Sequence, residues 1–340
     1  MSLPSTTRPA FAFKPLSNDN VRCDVCHRHC MLDSGEIGFC NTRQNIDGSL
    51  YTLVYGDIQA LSVNPIEKKP LFHYFPSSFA TTVGTNGCNF TCPYCQNWYL
   101  SKRSPTDRNQ QYISPTDLLE FSLQRQVKGI SISFNEPTML LEYALDVFKL
   151  AYAHDLYSMF VTNGYMTKEA LLALINAGMS GMTVTLKGSK SAVKKYCQAN
   201  VDHVWENLRI AVNKNVWCEV VTLVVPTIND DENSLHDIAQ HVRNELGEDV
   251  PLHFTRYHPD YQFNQPATPI KTLERARQIG LEEGLQFVYL GNVPGHPFED
   301  TYCPSCGKRL IHRSIFEVLE YQLTETNECP KCHELIPIRN

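Results

Sequence analysis

From residue 79 onward the chain alternates between short β-rich runs and longer amphipathic segments. The runs are "FATTVGT", "GISISF", "LYSMFVTN", "GMTVTLKG", "CEVVTLVV", "PLHFTRYH" and "QFVYLGN". Between them lie "SPTDLLEFSLQRQVK", "MLLEYALDVFKLAYAHD", "TKEALLALINAG", "VDHVWENLRIAVNK", "DDENSLHDIAQHVRNEL" and "TLERARQIGLEEG". This order builds right-handed βαβ units and a parallel sheet. The first helix is expected to open at Ser114-Pro115 with Asp117, and the fifth at Asp230. Asn176-Ala177-Gly178 reads as a helix stop. About six such units exceed one half of a doubly wound sheet and fall somewhat short of an eight-fold barrel. The choice lies between a partial or full βα barrel and an open doubly wound sheet. In both, ligands gather at the C-terminal ends of the strands.

The residues closing those strands are polar: Asn86-Gly87-Cys88, Asn135-Glu136, Thr162-Asn163-Gly164, Lys187, Thr227 with Asn229, and Arg256 to His258. Loops are polar in general, but these would share one face with "GCNFTCPYCQNW", which spaces three cysteines as Cys88-x3-Cys92-x2-Cys95. A closed zinc site takes four ligands and disulfides take an even count. A [4Fe–4S] cube held by three thiolates leaves one iron free for a substrate or cosubstrate. The competing readings are a zinc site completed by a distant ligand, or three buried cysteines.

The setting favours metal. The 340 residues suggest about two domains. At 42% hydrophobic and 19% charged, the composition is that of an ordinary globular protein. The formal charge of −6 shows no basic excess of the nucleic-acid-binding kind. The N-terminus has no apolar signal core, and no apolar run reaches the roughly 18 residues of a membrane span. A cytoplasmic, reducing location is expected, where thirteen cysteines argue for metal ligation over disulfides.

The spacing of Cys88, Cys92 and Cys95, with Tyr94 before the last, resembles the signature of radical SAM enzymes. The resemblance extends through "NPIEKKPLFHYFPSSFATTVGTNGCNFTCPYCQNWYLSK", "FNEPT", "TNGY", "HFTRYHPDY" and "TYCPSCGKRLIHR" to the AmmeMemoRadiSam-system enzymes, relatives of the pyruvate formate-lyase activating enzymes. It implies a partial (βα)6-type TIM barrel over residues 76–298. It implies reductive cleavage of S-adenosylmethionine to a 5′-deoxyadenosyl radical that abstracts hydrogen. It implies cofactor-binding roles for Tyr94, Asn135, Glu136, Thr162, Asn163, Lys187 and His258, although Asn135-Glu136-Pro137 lacks the glycine pair of the wider superfamily's turn. Implied partners are a flavodoxin- or ferredoxin-type electron donor, and either a glycyl-radical enzyme or Memo-type and Ammecr-type proteins.

Two further cysteine groups flank the barrel. Cys303-x2-Cys306 and Cys329-x2-Cys332 form paired knuckles of a zinc ribbon over residues 299–340, with Gly307 suited to a tight turn. Cys23, Cys26, Cys30 and Cys40 lie in an N-terminal segment, residues 1–75, and are open to zinc or an auxiliary iron–sulfur cluster. Zinc is slightly preferred as the common structural metal, with His27 and His29 as rival ligands. Residues 1–20 are expected to form a loose arm. "CDVCH" and "CPKCH" fit a c-type haem pattern, but each shares its cysteines with a four-thiolate group. Cys197 and Cys218 are expected to be small buried apolar residues. Lys68 and Lys69, between prolines, read as a solvated turn or as a clamp for an acidic group. The alternative to an enzyme is a zinc-only scaffold for protein or nucleic acid.

Overall fold

A computed structural model of the chain describes residues 4–104 and 109–340, so residues 1–3 of the expected arm lie outside the described residues. All seven β-rich runs form strands: β8 (Phe79–Gly84), β9 (Gly129–Ile132), β10 (Tyr157–Thr162), β11 (Met179–Leu186), β12 (Trp217–Val224), β13 (Leu252–Arg256) and β14 (Val288–Gly291). They pair in sequence order and in parallel, and β7 (Ala60–Pro65) adds an antiparallel edge to β8. The two outer strands, β7 and β14, do not pair with each other, so the eight-stranded sheet is an open half-barrel.

The six amphipathic segments are helices α2 (Pro115–Gln124), α3 (Leu141–Tyr152), α4 (Lys168–Asn176), α6 (Asp202–Asn213), α7 (Glu232–His241) and α8 (Ile270–Glu282). Two shorter ones, α1 (Trp98–Ser101) and α5 (Lys190–Ala192), follow β8 and β11. Ser114 and Asp117 form a reciprocal capping box on α2. Gly178, at φ +110°, follows the end of α4 in a conformation that glycine adopts without strain. The fifth start differs by one residue: Asp231 caps α7 by accepting from the Ser234 amide, while Asp230 accepts from the Thr227 amide. Among the described residues, no helix is long and apolar enough to cross a membrane.

Helices α3, α4, α6 and α8 pack on one face of the sheet, where Ile130, Ile132, Phe160, Val184, Val220, Phe254 and Leu290 are buried. The period-two alternation turns Val161, Thr185, Val221, Leu223, His253 and Thr255 to the opposite, concave face. Deep on that face Glu219 is fully buried, and a buried carboxylate must be paired. It accepts from His253 Nε2 (2.7 Å), Trp217 Nε1 (3.1 Å), and the Phe72 and His73 amides (3.0 and 2.8 Å). Although burial works the other way, the His253 hydrogen bond and charge hold Glu219 below its ordinary pKa.

Those amides belong to residues 66–76, which enter the half-barrel as a plug. Ile66, Leu71 and Tyr74 bury against Ala80, Tyr157 and Met159. Apolar burial of this kind contributes about 1.5–3 kcal/mol per large side chain. The C-terminal unit locks the plug. It comprises β15 (Thr301–Tyr302), β16 (Arg309–Ser314) and β17 (Glu317–Tyr321), and its core includes Phe72 of the plug and Tyr289 of β14. His73 bonds to the Pro337 carbonyl (2.8 Å) and the Tyr289 hydroxyl (2.5 Å), and Arg339 N donates to the His73 carbonyl (2.9 Å).

The N-terminal expectation needs correction. The segment is folded: β2 (Phe13–Pro15) pairs with β3 (Val21–Cys23), which pairs with β4 (Met31–Leu32). A second small sheet orders β1 (Arg8–Pro9), β6 (Ser49–Thr52) and β5 (Arg43–Ile46). Strands of two to four residues carry too little alternation to be legible. The unit docks on α3 through the buried Arg43, whose guanidinium holds Glu142 at 2.7 and 3.1 Å.

Glu219→Ala would leave a buried histidine and two plug amides without their acceptor. We expect a loss of about 3–5 kcal/mol, read from chemical denaturation of the folded protein. A loss under 1 kcal/mol would show that the plug is held elsewhere.

Candidate active site

A cavity of about 560 Å³ fills the concave face between the plug and the loops at the C-terminal strand ends. Cys88, Cys92 and Cys95 all line it, on the loop between β8 and α1. The loop is fixed at its base by Asn135, whose Nδ2 donates to the carbonyls of Gly87 (2.9 Å) and Asn86 (3.3 Å) while its Oδ1 accepts from the Thr85 amide (3.1 Å). Gly87 is required there: it sits at φ +86°, and a Cβ would lie 2.4 Å from the Cys40 carbonyl oxygen. Lys102 Nζ donates to the Phe90 carbonyl (2.7 Å), and the buried Tyr94 points its hydroxyl to the Lys187 carbonyl (3.5 Å).

Glu136 is buried and organises the neighbouring strand ends. Its Oε1 accepts from the Thr138 and Thr162 hydroxyls (2.6 and 2.7 Å), and its Oε2 from the Asn163 amide (2.8 Å). Burial raises its pKa and these bonds oppose the shift. Asn163 Nδ2 continues the chain to Asn89 Oδ1 (2.7 Å) on the cysteine loop. Thus Asn135, Glu136, Thr162 and Asn163 meet the three cysteines around one cavity, and Lys187 lines it as well. His258 does not line it: it is exposed on the rim, 3.0 Å from Gln96 Nε2. The rim loop also reaches the cysteine loop through the Gln262 amide and the Pro93 carbonyl (3.0 Å).

Three residues escaped the sequence reading as parts of the site: Cys197, Arg313 and Phe316. Cys197, expected to be apolar filler, places its sulfur 3.4 Å from that of Cys92. Its hydrogen bond, with help from Lys187 and Lys102, lowers the Cys92 pKa. No spacing signal links residues 92 and 197, because the contact is made by the turn after α5. Arg313 and Phe316, from the C-terminal unit, also line the cavity. Lys69 is no solvated turn residue: it is only 3% exposed, it lines the cavity from the plug, and its ammonium lies 5.2 Å from the Phe134 ring. Among the described residues its Nζ makes no hydrogen bond. Burial, reinforced by Lys68, lowers its pKa to about 7.

The three loop thiols suit an iron–sulfur cube. They converge on a cavity with cationic Lys102 and Lys187 in its wall, and no fourth cysteine lines that cavity. The four C-terminal sulfurs differ, lying within 4.8 Å of one another, with Cys303–Cys332 at 3.5 Å and Cys306–Cys329 at 3.7 Å.

The fold of this half-barrel occurs in a solved structure. A structure of Streptococcus suis SuiB bound to S-adenosylmethionine superposes with a TM-score of 0.51 at 12% identity, over 70% of this chain and 56% of that one. The radical SAM superfamily model matches residues 82–238. Over nearly its whole length the chain is also 42% identical to the uncharacterized protein MJ0808 of Methanocaldococcus jannaschii, covering 97% of this chain and 99% of that one. Residues 82–238 thus form a radical SAM domain. The chain is also 29% identical to the GTP 3′,8-cyclase of Helicobacter pylori, over 47% of this chain and 50% of the cyclase.

Two outcomes are expected. Cys197→Ala should keep about four irons at the loop site, since a sulfur so close to Cys92 acts as its hydrogen-bond donor. Loss of that iron would make Cys197 a ligand. Lys69 is protonated in the unfolded chain up to its ordinary 10.5 but in the folded chain only up to about 7. Between those limits the unfolded state binds more protons. The Lys69 contribution therefore makes stability rise with pH, by at most about 1.4 kcal/mol per unit. The excess stability of Lys69→Met over the native chain should be largest below pH 7 and shrink toward pH 10.5. A pH-independent difference, in urea midpoints across that window, would show that the amine is not buried in its charged form.

Proposed function

We propose that the protein is an AmmeMemoRadiSam-type enzyme that cleaves S-adenosylmethionine reductively and abstracts hydrogen from a substrate bearing an anionic group. The observation that carries this reading is that Cys88, Cys92, Cys95, Lys69 and Arg313 line one cavity. When bound, a [4Fe–4S] cluster on the three thiolates supplies the electron that breaks a carbon–sulfur bond of the sulfonium, and so the carbon radical.

The chain's own residues do the rest. Asn135 and Glu136 fix the cysteine loop against the ends of β9 and β10. Thr162, Asn163 and Lys187, which line the cavity, would meet the nucleoside and methionyl ends. Phe72, Val161, Val221, Leu223 and Phe316 keep water from the radical. Deeper in the cavity, Lys69 Nζ makes no hydrogen bond among the described residues, and Arg313 Nε is buried without a partner. A carboxylate or phosphate would satisfy both donors. Glu67 Oε1 lies 4.0 Å from Arg313 Nε, beyond hydrogen-bond distance, so the ion pair leaves that N–H free to donate.

The electron donor in this reading is of the flavodoxin or ferredoxin class, the setting is the cytoplasm, and the C-terminal knuckles hold zinc. Memo-type and Ammecr-type proteins are the partners favoured by the whole-chain resemblance. Activation of a glycyl-radical enzyme, the other activity in that lineage, would leave a glycine-centred radical in a separate protein.

Anaerobically reconstituted protein, given a strong reductant and S-adenosylmethionine, is expected to release 5′-deoxyadenosine. Cys92→Ala should abolish release, and release that persists in this variant would refute the assignment.

A further inference from the structure

The N-terminal cysteines are brought together from two turns. Cys23 ends β3, Cys26 and Cys30 lie between β3 and β4, and Cys40 lies before β5. All four line one small cavity of about 10 Å³, together with Arg28, Arg43 and Met139. That is room at its centre for about one water-sized sphere.

This geometry distinguishes a single ion from a cluster. One zinc ion at about 2.3 Å from each sulfur holds its four sulfurs about 3.8 Å apart. The C-terminal group has that compactness, with all its sulfurs within 4.8 Å of one another. Among the described residues it is the one group that does. No three of the sulfurs of Cys23, Cys26, Cys30 and Cys40 lie within that distance of one another, nor do His27 or His29 complete such a set. A single ion would leave the central space unfilled or force the turns to collapse into it. In a cube each sulfur binds its own iron, so the ligands stand farther apart and the inorganic core fills the middle.

Charge and donors agree. The buried Arg43 and the cation of Arg28 line the space and offset the negative charge of four thiolates. Asn89 is fully buried and its Nδ2 has no hydrogen-bond partner among the described residues, which leaves it free to donate to a cluster sulfur. Sulfur ligands of a cluster accept such N–H bonds, which tune its potential.

The position is also informative. The Cys40 carbonyl packs on Gly87, next to Cys88. Arg28 donates from the N-terminal group to the Asn89 carbonyl (2.8 Å) and the Cys197 carbonyl (2.9 Å). Cys30 is partly exposed on the other side.

We propose that Cys23, Cys26, Cys30 and Cys40 hold an auxiliary [4Fe–4S] cluster that relays single electrons to the cluster on Cys88, Cys92 and Cys95. A low-potential one-electron donor protein of the flavodoxin or ferredoxin class is oxidised at the Cys30 side. The auxiliary centre is reduced by one electron and reoxidised as the loop cluster is reduced, with no bond made or broken in the transfer. The relay rests on the radical SAM reading above; the metal assignment does not.

The test is iron and acid-labile sulfide content of anaerobically prepared full-length Cys88→Ala/Cys92→Ala/Cys95→Ala protein. It should fall by half, from about eight irons per chain to about four, with a reducible cluster signal in electron paramagnetic resonance. Zinc in two sites with no iron would overturn the assignment. Should the triple variant fail to fold, native protein answers the same question: about eight irons and one zinc support it, and about four irons with two zincs overturn it. In fully reduced native protein, the two signals should broaden each other through spin–spin coupling. An unbroadened sum of two isolated signals would overturn the relay. Failure to release 5′-deoxyadenosine would sink the reading above while leaving the iron count intact.

Discussion

An open parallel sheet has two faces that must be covered, and here the concave one is polar. Thr185, Glu219, His253 and Thr255 point into a space the helices do not reach. Parallel strands survive only when both faces are sheltered, because a buried unpaired polar group is costly. The Glu219 carboxylate meets this constraint by capturing the plug's backbone amides. From that one anchor follow the floor of the cavity, the seat of the C-terminal unit on Tyr289 and His73, and the placement of Lys69 inside. The plug could not be exchanged for a simple apolar cover without backbone donors, since Glu219 would then lose two of the amides that satisfy it.

The same logic explains why the upper half of the cavity is so heavily cross-linked. A loop carrying three thiols has no regular hydrogen bonding of its own. Asn135 supplies it from one side and Lys102 from another, and Glu136 ties Asn163 into the same frame. These side chains act first as positioning groups. The carboxylate of Glu136, surrounded by four donors from this chain, is already satisfied. In the proposed reading, recognition of a cosubstrate's amino group would fall more on backbone carbonyls than on Glu136 itself.

Much of the fold was legible because strands and helices have different periods. Seven β-rich runs and six amphipathic segments appear at the expected places, and of the polar strand-end residues Cys88, Asn135, Glu136, Thr162, Asn163 and Lys187 line one cavity, whereas Thr227, Asn229 and Arg256 to His258 do not. The failures share a cause. The N-terminal strands are too short to show a period, and Cys197 meets Cys92 across 105 residues. The sequence leaves Lys69 open between a solvated turn and an acidic-group clamp, because a lysine between prolines says nothing about the burial of the chain around it. His258 was placed correctly at a strand end, but the backbone turns its ring outward to Gln96. Each of these depends on tertiary contact, which neither spacing nor local propensity encodes.

The three cysteine groups show what spacing can and cannot carry. In the C-terminal knuckles each Cys-x2-Cys pair closes on its own tight turn, with the Gly307 and His333 amides donating back to the Cys303 and Cys329 carbonyls. Local turns of that kind draw sulfurs together until one ion fits. The N-terminal group contains the same Cys-x2-Cys unit, yet its sulfurs stay apart because the surrounding frame sets their separation. Cys26 is tethered to Met166 beyond β10, and the Cys40 carbonyl packs on Gly87 at the foot of the radical loop. Metal choice at this site is thus a property of how two units dock. A change at the docking surface, remote from any thiol, would alter which metal the thiols prefer.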